Sequence, residues 1–430
     1  MSDLLVRGGN ILSGEITPAG NKNSALPILC ATLLTNEDVI IRNFPDLTDV
    51  NKLIELMISM GSKIEWDKEK CILKINNSGF KNEFGDEGFP MGMRGAVLLL
   101  GSLVTRMKEI EVHKEIGGCS LGIRELDPHI EVIKALGADV TDSKTLKIDI
   151  KNGLKGNFLW QDYMSVTTTE NFVMAASKAE GTSTMVNAAS EPHVQDLCNF
   201  LVSMGAKIEG IGSSTLKVTG VEELHGTEFT ISSDHHEITT LLALGAMTGG
   251  EVRVNNAEPE HFPLIVKAFK KFGVKVEYEG ETAIVRAQKK LVIEEPYTKN
   301  MLQKIEAAPW PYFPVDLMPL MIALAVKSEG NIMFWNKLYE GGLFWIPEMM
   351  KFGAHIVMCD PFRIIVFGNK PLKAATVDSP NIIRATVALM MVALTINGES
   401  IIRNADPIKR AHPNFVENLQ KLGADISWRD

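Results

Sequence analysis

The chain has 430 residues, of which 45% are hydrophobic, and carries a formal net charge of -9. This length exceeds one ordinary domain and predicts two, and the apolar content is sufficient for packed cores. The acidic balance argues against general binding of nucleic acid. The N-terminus lacks the pattern of a signal peptide and no apolar run reaches membrane-spanning length, so we expect a cytoplasmic protein with no membrane contact.

The five cysteines form no CxxC pair and give no even disulfide framework. This usage suits a reducing compartment and disfavours structural zinc. The adjacent pair His235-His236 is the best candidate for metal ligation, but no third ligand has a suitable spacing in the sequence. We therefore expect no metal site.

A helix ending recurs six times along the chain. Each copy has apolar residues at helical spacing, then a glycine, then a short alternating stretch typical of a half-buried strand. The glycine suits the left-handed position after a helix, which a residue without Cβ adopts at little cost. The copies lie about 70 residues apart, the size of a small α/β module, and centre on Gly61, Gly137, Gly205, Gly273, Gly353 and Gly423.

Five of the copies also contain a turn followed by a second strand that ends near asparagine. The repeated module is therefore predicted to run strand, helix, strand, helix, strand, strand. The five segments are DVIIRN (38–43), TSTMVN (182–187), EVRVNN (251–256), NIMFWN (331–336) and ESIIRN (399–404).

The strongest local motif is the glycine-rich segment around Cys119. Gly117, Gly118 and Gly122 predict a flexible loop, and Arg124 follows closely. A nearby cation lowers the pKa of a thiol, so this cysteine could act as an acid or nucleophile carried by a lid. The alternative is a buried apolar cysteine at a turn.

A second motif, AGNKNS at 19–24, is predicted to begin a helix. Ser24 or Asn23 could cap that helix, whose first N–H groups would attract an anion, and Lys22 would add a positive charge. The spacing differs from that of a P-loop, which requires GxxxxGK.

Charged side chains beside apolar helices form the third group of candidates. Arg94, Arg384 and Arg410 each lie near a predicted helix start, where an arginine opposes the helix dipole. They are either solvated helix ends or, with Lys22 and Arg124, a cradle for a polyanion. Asp316, in an apolar stretch rich in proline, is either a helix cap or a base with a raised pKa.

Together these motifs resemble the enolpyruvyl transferases over essentially the whole chain. The resemblance implies a two-domain inside-out α/β barrel built from six βαβαββ repeats. One domain is expected at 22–232 with the cysteine loop, the other at 1–21 plus 233–430 with the carboxylate base, and the active site in the cleft between them. The most specific segments are AGNKNSALPI (19–28), GGCSLGIRELDPH (117–129), SVTTTENFVMAA (165–176), NAASEP (187–192) and FPVD (313–316).

The resemblance also implies a reaction, in which the enolpyruvyl group of phosphoenolpyruvate moves to the 3-hydroxyl of UDP-N-acetylglucosamine and phosphate is released. This is a step of peptidoglycan synthesis that needs no cofactor, and such enzymes are targets of fosfomycin. By resemblance Cys119 is the acid, Asp316 is the base, and Lys22, Arg124 and Arg410 hold the anionic substrate, with Arg94 and Arg384 nearby. The positions that match the nucleotide-sugar site are Asn23, Asp127, His129, Ser165, Val166 and Leu338.

The chain departs from the family pattern at several positions. Gly342 stands where an arginine is usual, and Thr167 stands where many relatives have Gly or Ala. The alternatives are therefore an enolpyruvyl transferase for another acceptor, such as shikimate 3-phosphate or another nucleotide, and a non-catalytic binder of sugar nucleotides. We expect a monomer.

Overall fold

A computed structural model of the chain describes residues 2–81, 94–113, 125–412 and 414–429. Within these ranges the chain forms two compact units. One contains the described residues of 1–19 and 233–430. We call it the closing unit because the N-terminal and C-terminal parts of the chain come together in it. The other contains the described residues of 20–232, and we call it the inserted unit.

The strands are numbered along the chain. They are β1 (Asp3–Gly8), β2 (Gly14–Ile16), β3 (Val39–Arg42), β4 (Lys63–Asp67), β5 (Ile72–Asn76), β6 (Glu109–His113), β7 (Asp139–Asp142), β8 (Thr145–Asp149), β9 (Phe158–Trp160), β10 (Thr182–Val186), β11 (Lys207–Glu209), β12 (Thr215–Thr219), β13 (Glu228–Thr230), β14 (Val252–Val254), β15 (Val276–Glu279), β16 (Thr282–Val285), β17 (Gln303–Ala307), β18 (Asn331–Asn336), β19 (His355–Asp360), β20 (Arg363–Phe367), β21 (Thr376–Asp378), β22 (Gly398–Arg403) and β23 (Asp425–Arg429).

The α-helices are numbered in the same way. They are α1 (Lys22–Ala31), α2 (Thr48–Ser59), α3 (Leu99–Leu103), α4 (Asp127–Ala135), α5 (Val166–Ala176), α6 (Pro192–Ser203), α7 (His235–Thr248), α8 (Pro263–Lys270), α9 (Met318–Lys327), α10 (Ile346–Lys351), α11 (Ile383–Leu394) and α12 (Phe415–Lys421). Short 3₁₀ helices occur at Thr32–Leu34, Arg94–Leu98, Pro259–His261, Val315–Leu317 and Asp406–Arg410.

The repeated module appears as one sheet pattern. Five four-stranded sheets in the described residues have a parallel pair at one side, followed by two antiparallel neighbours, as in β9-β10-β12-β11. A sixth sheet has the three described strands β6-β8-β7. Each unit contains three of these sheets, and the predicted α/β fold of repeated modules is confirmed.

The N-terminal segment completes sheets formed by distant parts of the closing unit. Strand β1 lies between β22 and β23, with Leu4 paired to Ile402 on one side and Trp428 on the other. Strand β2 pairs in parallel with β14. In the inserted unit, strand β13 near the C-terminal end of the unit pairs with strand β3 near its N-terminal end. In each unit, strands from the last part of the sequence therefore pair with strands from the first part.

Helices form the interior of each unit and sheets cover them. Every residue of α9 from Met318 to Val326 is buried, as is every residue of α11 from Arg384 to Leu394. Apart from Arg384 and Thr386 at the start of α11, these residues are apolar on all sides of the helix, which is the composition of a helix enclosed by protein. The strands alternate buried and more accessible residues, as β18 does, so each sheet covers the helices with one face.

The six repeat glycines have the predicted conformation. Their φ angles lie between 71° and 104°. After five of the six, the next residue donates its N–H back to the helix, as Ala138 does to Ile133 and Ala424 does to Leu419. This is the hydrogen bond of a Schellman ending, so these glycines close the second helix of each module. In the described part of the chain, no helix has both the length and the apolar character to cross a membrane.

Candidate functional site

Lys22 is the first residue of α1, in the inserted unit. Its side chain is largely shielded, with 10% exposure, and Nζ lies 2.5 Å from Oδ2 of Asp49 in the first turn of α2. The N-terminus of α1 carries a partial positive charge from its unpaired N–H groups. A lysine at this point therefore adds to a field that favours an anion.

The cap of α1 differs from the prediction. Asn21 precedes the helix in extended conformation, and its side chain accepts a hydrogen bond of 2.8 Å from the N–H of Asn23. The expectation that Ser24 or Asn23 caps the helix was therefore wrong. Ser24 is buried and donates to Asp196 at 2.6 Å. Asn23, predicted to bind the nucleotide sugar, is partly exposed in the first turn.

A second group of predicted residues lies at the starts of α4 and α5, in the same unit. Asp127 begins α4 and is exposed, whereas His129 in its first turn is 5% exposed. Ser165 caps α5, with its hydroxyl accepting from the N–H of Thr168 at 3.4 Å, and Val166 is the first residue of that helix.

These two helix starts are connected through a histidine. His129 Nε2 lies 3.3 Å from Oγ1 of Thr167, and His129 Nδ1 lies 2.8 Å from Nδ2 of Asn171. Burial lowers the pKa of His129 to about 4, because a charged imidazole loses its hydration there. The ring is therefore neutral at physiological pH.

In the closing unit, the predicted residues occupy short helices and a loop. Asp316 lies in the 3₁₀ helix Val315–Leu317 that leads into α9, and its side chain is partly exposed. Arg410 is the last residue of the 3₁₀ helix Asp406–Arg410, which packs on α11. It therefore ends a short helix and does not begin a long one. Leu338 follows β18 and donates its N–H to Asn336 at 3.0 Å.

Arg384 is enclosed in a buried polar network at the start of α11. Its side chain is 9% exposed and Nη2 lies 3.6 Å from Oδ2 of Asp234, the cap of α7. Its other terminal nitrogen donates to Nε2 of His412. Asp234 Oδ1 in turn accepts from Nδ1 of His236 at 2.8 Å. Nδ1 of His412 lies 3.9 Å from Glu237.

This network fixes the charges of its members. Burial by itself would raise the pKa of Asp234, but His236 and Arg384 outweigh it and hold that pKa well below its usual range. Burial and the charge of Arg384 lower the pKa of His412. Because a guanidinium can only donate, His412 accepts at Nε2 and carries its proton on Nδ1.

Sequence reasoning missed most of this network. The expectation that His235 and His236 have no third partner was wrong, because Asp234, His235 and His236 hold potential ligand atoms within 4.8 Å of one another. The Asp234 carboxylate is already shared between His236 and Arg384, however, and a guanidinium beside it opposes a second cation. The geometry fits an ion-pair network better than a metal site.

Gly342, the position of an expected arginine, is restricted by packing. A Cβ atom there would lie 1.9 Å from Nδ2 of Asn336. Asn336 is 1% exposed, and its Oδ1 accepts from the N–H groups of Leu338 and Tyr339, both at 3.0 Å. The space beside this backbone is therefore filled by an asparagine that is held in place.

Two of the predicted residues, Cys119 and Arg124, lie outside the described residues. Arg94 begins the 3₁₀ helix Arg94–Leu98.

Comparison with known proteins identifies the family to which the chain belongs. A family model described as EPSP synthase (3-phosphoshikimate 1-carboxyvinyltransferase) matches residues 6–419. The chain therefore belongs to the EPSP synthase family of enolpyruvyl transferases, and the predicted resemblance is confirmed.

Several relatives that are similar over almost the full length of the chain share one name. The UDP-N-acetylglucosamine 1-carboxyvinyltransferase of Borrelia garinii subsp. bavariensis is 39% identical over 426 residues, which cover 99% of both chains. The protein of the same name from Bradyrhizobium diazoefficiens is 39% identical over 98% of this chain and 97% of its own. That from Treponema denticola is 36% identical over the full length of both.

Solved structures support the same fold. The enolpyruvyl transferase NikO from Streptomyces tendae superposes with a TM-score of 0.86 at 20% identity, covering 100% of this chain and 99% of its own. EPSP synthase from Acinetobacter baumannii gives 0.78 at 17% identity, with both chains fully covered.

Proposed function

We propose that the protein transfers the enolpyruvyl group of phosphoenolpyruvate to the 3-hydroxyl of UDP-N-acetylglucosamine and releases phosphate. The observation that carries this proposal is the full-length similarity, 36–39% identical, to proteins named for this reaction. Lys22, a shielded cation at the start of α1, supports it because phosphoenolpyruvate carries both a phosphate and a carboxylate. The reaction would serve peptidoglycan synthesis in the cytoplasm.

The chemistry assigns a task to each proposed residue. A proton added to the methylene carbon of phosphoenolpyruvate makes the central carbon electrophilic, and Cys119 is the proposed donor. The sugar hydroxyl attacks that carbon and loses its proton to Asp316. The adduct then loses phosphate and a proton from the new methyl group, which restores the double bond.

The charge of the substrate explains the proposed cations. Lys22 and Arg410, with Arg124, are proposed to hold its phosphate and carboxylate. Fixed cations in a site without water stabilise charge that develops during the reaction. Arg384 is already paired with Asp234, so we assign it a supporting position next to this cradle.

The proposed acceptor is held by the inserted unit. Ser165 and Val166 lie at the first turn of α5, where N–H groups lack acceptors within the helix. An anion such as the diphosphate of a sugar nucleotide is attracted to such a helix start. Asn23 and Asp127 are proposed to contact the rest of the nucleotide sugar, together with Leu338 of the closing unit. His129, whose two ring nitrogens face Thr167 and Asn171, is proposed to support this helix start.

The first test measures phosphate released from phosphoenolpyruvate. UDP-N-acetylglucosamine and shikimate 3-phosphate are supplied as acceptors in parallel, because the family model carries the name of the shikimate enzyme. Release with the nucleotide sugar alone supports the proposal. Release with shikimate 3-phosphate alone assigns the other acceptor, and release with neither favours a binding protein.

The second test concerns Cys119. We expect fosfomycin, an epoxide, to alkylate this thiol in the presence of the nucleotide sugar, giving one adduct by intact-protein mass spectrometry. Cys119→Asp should remove the adduct and keep turnover, because a carboxylic acid also donates a proton. Cys359 is exposed, so Cys359→Ser is the matched control and should retain the adduct. An adduct that survives Cys119→Asp contradicts the assignment.

A further inference from the structure

The orientation of one buried amide can be read from its partners. Asn171 of α5 is completely buried. Its Oδ1 accepts the N–H of Gly101 at 3.0 Å, and its Nδ2 donates to the carbonyl of Val97 at 2.8 Å. Exchanging the oxygen and the nitrogen would place donor against donor and acceptor against acceptor. The Nδ2 group is therefore the atom that faces His129.

This orientation determines the tautomer of His129. Nδ2 of Asn171 lies 2.8 Å from Nδ1 of the histidine, so Nδ1 must accept. The ring is neutral, since burial lowers its pKa to about 4, and a neutral ring that accepts at one nitrogen carries its proton at the other. Nε2–H therefore donates to Oγ1 of Thr167, 3.3 Å away.

The hydroxyl of Thr167 is left with a proton to donate. A hydroxyl group has one donor, and here an acceptor site is occupied by His129. Among the residues that the structure describes, His129 is the one hydrogen-bond partner of this hydroxyl. Thr167 is partly exposed and is the second residue of α5, next to Ser165 and Val166.

We infer that the hydroxyl of Thr167 donates to a phosphate oxygen of the nucleotide sugar and that His129 is a positioning residue for it. This inference rests on the proposed function. A phosphate oxygen is the matching acceptor because the unpaired N–H groups of the same helix turn draw the diphosphate to this point.

The experiment compares two substitutions of one residue. Thr167→Val keeps the shape and removes the hydroxyl, whereas Thr167→Ser keeps the hydroxyl. Binding of UDP-N-acetylglucosamine, UDP and uridine is measured by calorimetry. We expect Thr167→Val to weaken both diphosphates about tenfold, the effect of one lost hydrogen bond to a charged group. Uridine should bind unchanged, and Thr167→Ser should retain most of the affinity.

Each result decides one point. Equal binding of UDP by the wild type and Thr167→Val overturns the inference and leaves the proposed function standing. Equal weakening of uridine overturns the diphosphate contact, because the loss would then lie elsewhere in the ligand. A folded wild type that binds no UDP-N-acetylglucosamine overturns the proposed function, and the inference falls with it.

A second readout does not depend on activity. In ¹⁵N-histidine-labelled protein at neutral pH, the resonances lost in His129→Gln identify His129. We expect the hydrogen–nitrogen couplings of the His129 ring to be those of an imidazole protonated at Nε2 alone. A ring protonated at Nδ1, or at both nitrogens, overturns the role of His129.

Discussion

The ammonium group of Lys22 lies 2.5 Å from the carboxylate of Asp49, and the two side chains are 10% and 20% exposed. Both residues lie in the first turns of their helices, α1 and α2. Partial burial strengthens the attraction between opposite charges, because water screens it less. Asp49 thus holds the ammonium group of Lys22 in one place at the start of α1.

Lys22→Ala should abolish productive binding of phosphoenolpyruvate. We expect turnover to fall about 100-fold or more, the typical cost of removing one preorganised charge stabiliser. Calorimetric binding of UDP-N-acetylglucosamine should be retained. Steady-state phosphate release gives kcat and KM for each substrate separately.

The control for this substitution is Lys52→Ala. Lys52 is an exposed residue of α2, so it shares the helix of Asp49 but not the buried ion pair. Its turnover should match that of the wild type. Near-normal turnover of Lys22→Ala would refute the assignment of this lysine to the substrate.

Arg384→Met should destabilise the closing unit. The substitution leaves Asp234 buried without its cation, and breaking a buried ion pair on one side costs about 3 kcal/mol. Adding Asp234→Asn should recover part of that loss, since the stranded charge is then removed. Urea unfolding of the two single variants and the double variant measures the coupling between the residues.

A surface ion pair of the same length provides the control. Arg403 lies 3.6 Å from Asp378, the separation found for Arg384 and Asp234, but its side chain is 56% exposed. Arg403→Met should cost less than about 1 kcal/mol, the usual limit for an exposed pair. Equal losses for Arg384→Met and Arg403→Met would show that burial does not control the strength of this network.

The repeated module could be predicted from sequence because its signals are local. A glycine after a helix, as at Gly137, depends on backbone conformation within a few residues. The position of β1 between β22 and β23 could not be obtained in that way, since it joins residues about 400 apart in the chain. The resemblance implied only that residues 1–21 belong with 233–430, and it gave no strand order.

In the candidate site too, features with a local sequence signal could be predicted and features that depend on distant residues could not. The motif at 19–24 predicted that Lys22 lies at a helix start, and it does. The network around Asp234 could not be predicted as a whole, because its partners Arg384 and His412 follow more than 140 residues later. The signal that could have exposed it is a polar run, Asp234 to Glu237, which caps and begins the otherwise largely apolar helix α7.

The stability of the inserted unit should fall in mild acid because of His129. Its pKa is about 4 in the folded protein and 6.5 ordinarily, so between these values the unfolded chain binds more protons. Stability therefore decreases as the pH falls through this window, by at most about 3 kcal/mol below pH 4. Urea unfolding between pH 7 and pH 4 measures this slope.

His129→Gln should make the slope shallower. Part of the slope measured on the whole chain will remain, because burial also lowers the pKa of His412 in the closing unit. His355, exposed on β19, is the control, and His355→Gln should leave the slope unchanged. An identical pH dependence for the wild type and His129→Gln would contradict a buried, neutral His129.

Placing a side chain at position 342, where the family pattern has an arginine, should destabilise the closing unit. A Cβ there would lie 1.9 Å from Nδ2 of Asn336, and moving this buried asparagine would strain its hydrogen bonds to Leu338 and Tyr339. Gly342→Ala should therefore cost about 1–3 kcal/mol, the range for overpacking a filled site. In an Asn336→Ala background the same substitution should cost less, because the clashing amide is absent. Thermal unfolding of the four proteins in this cycle measures the difference, and equal costs in both backgrounds would mean that Asn336 is not what excludes a side chain from position 342.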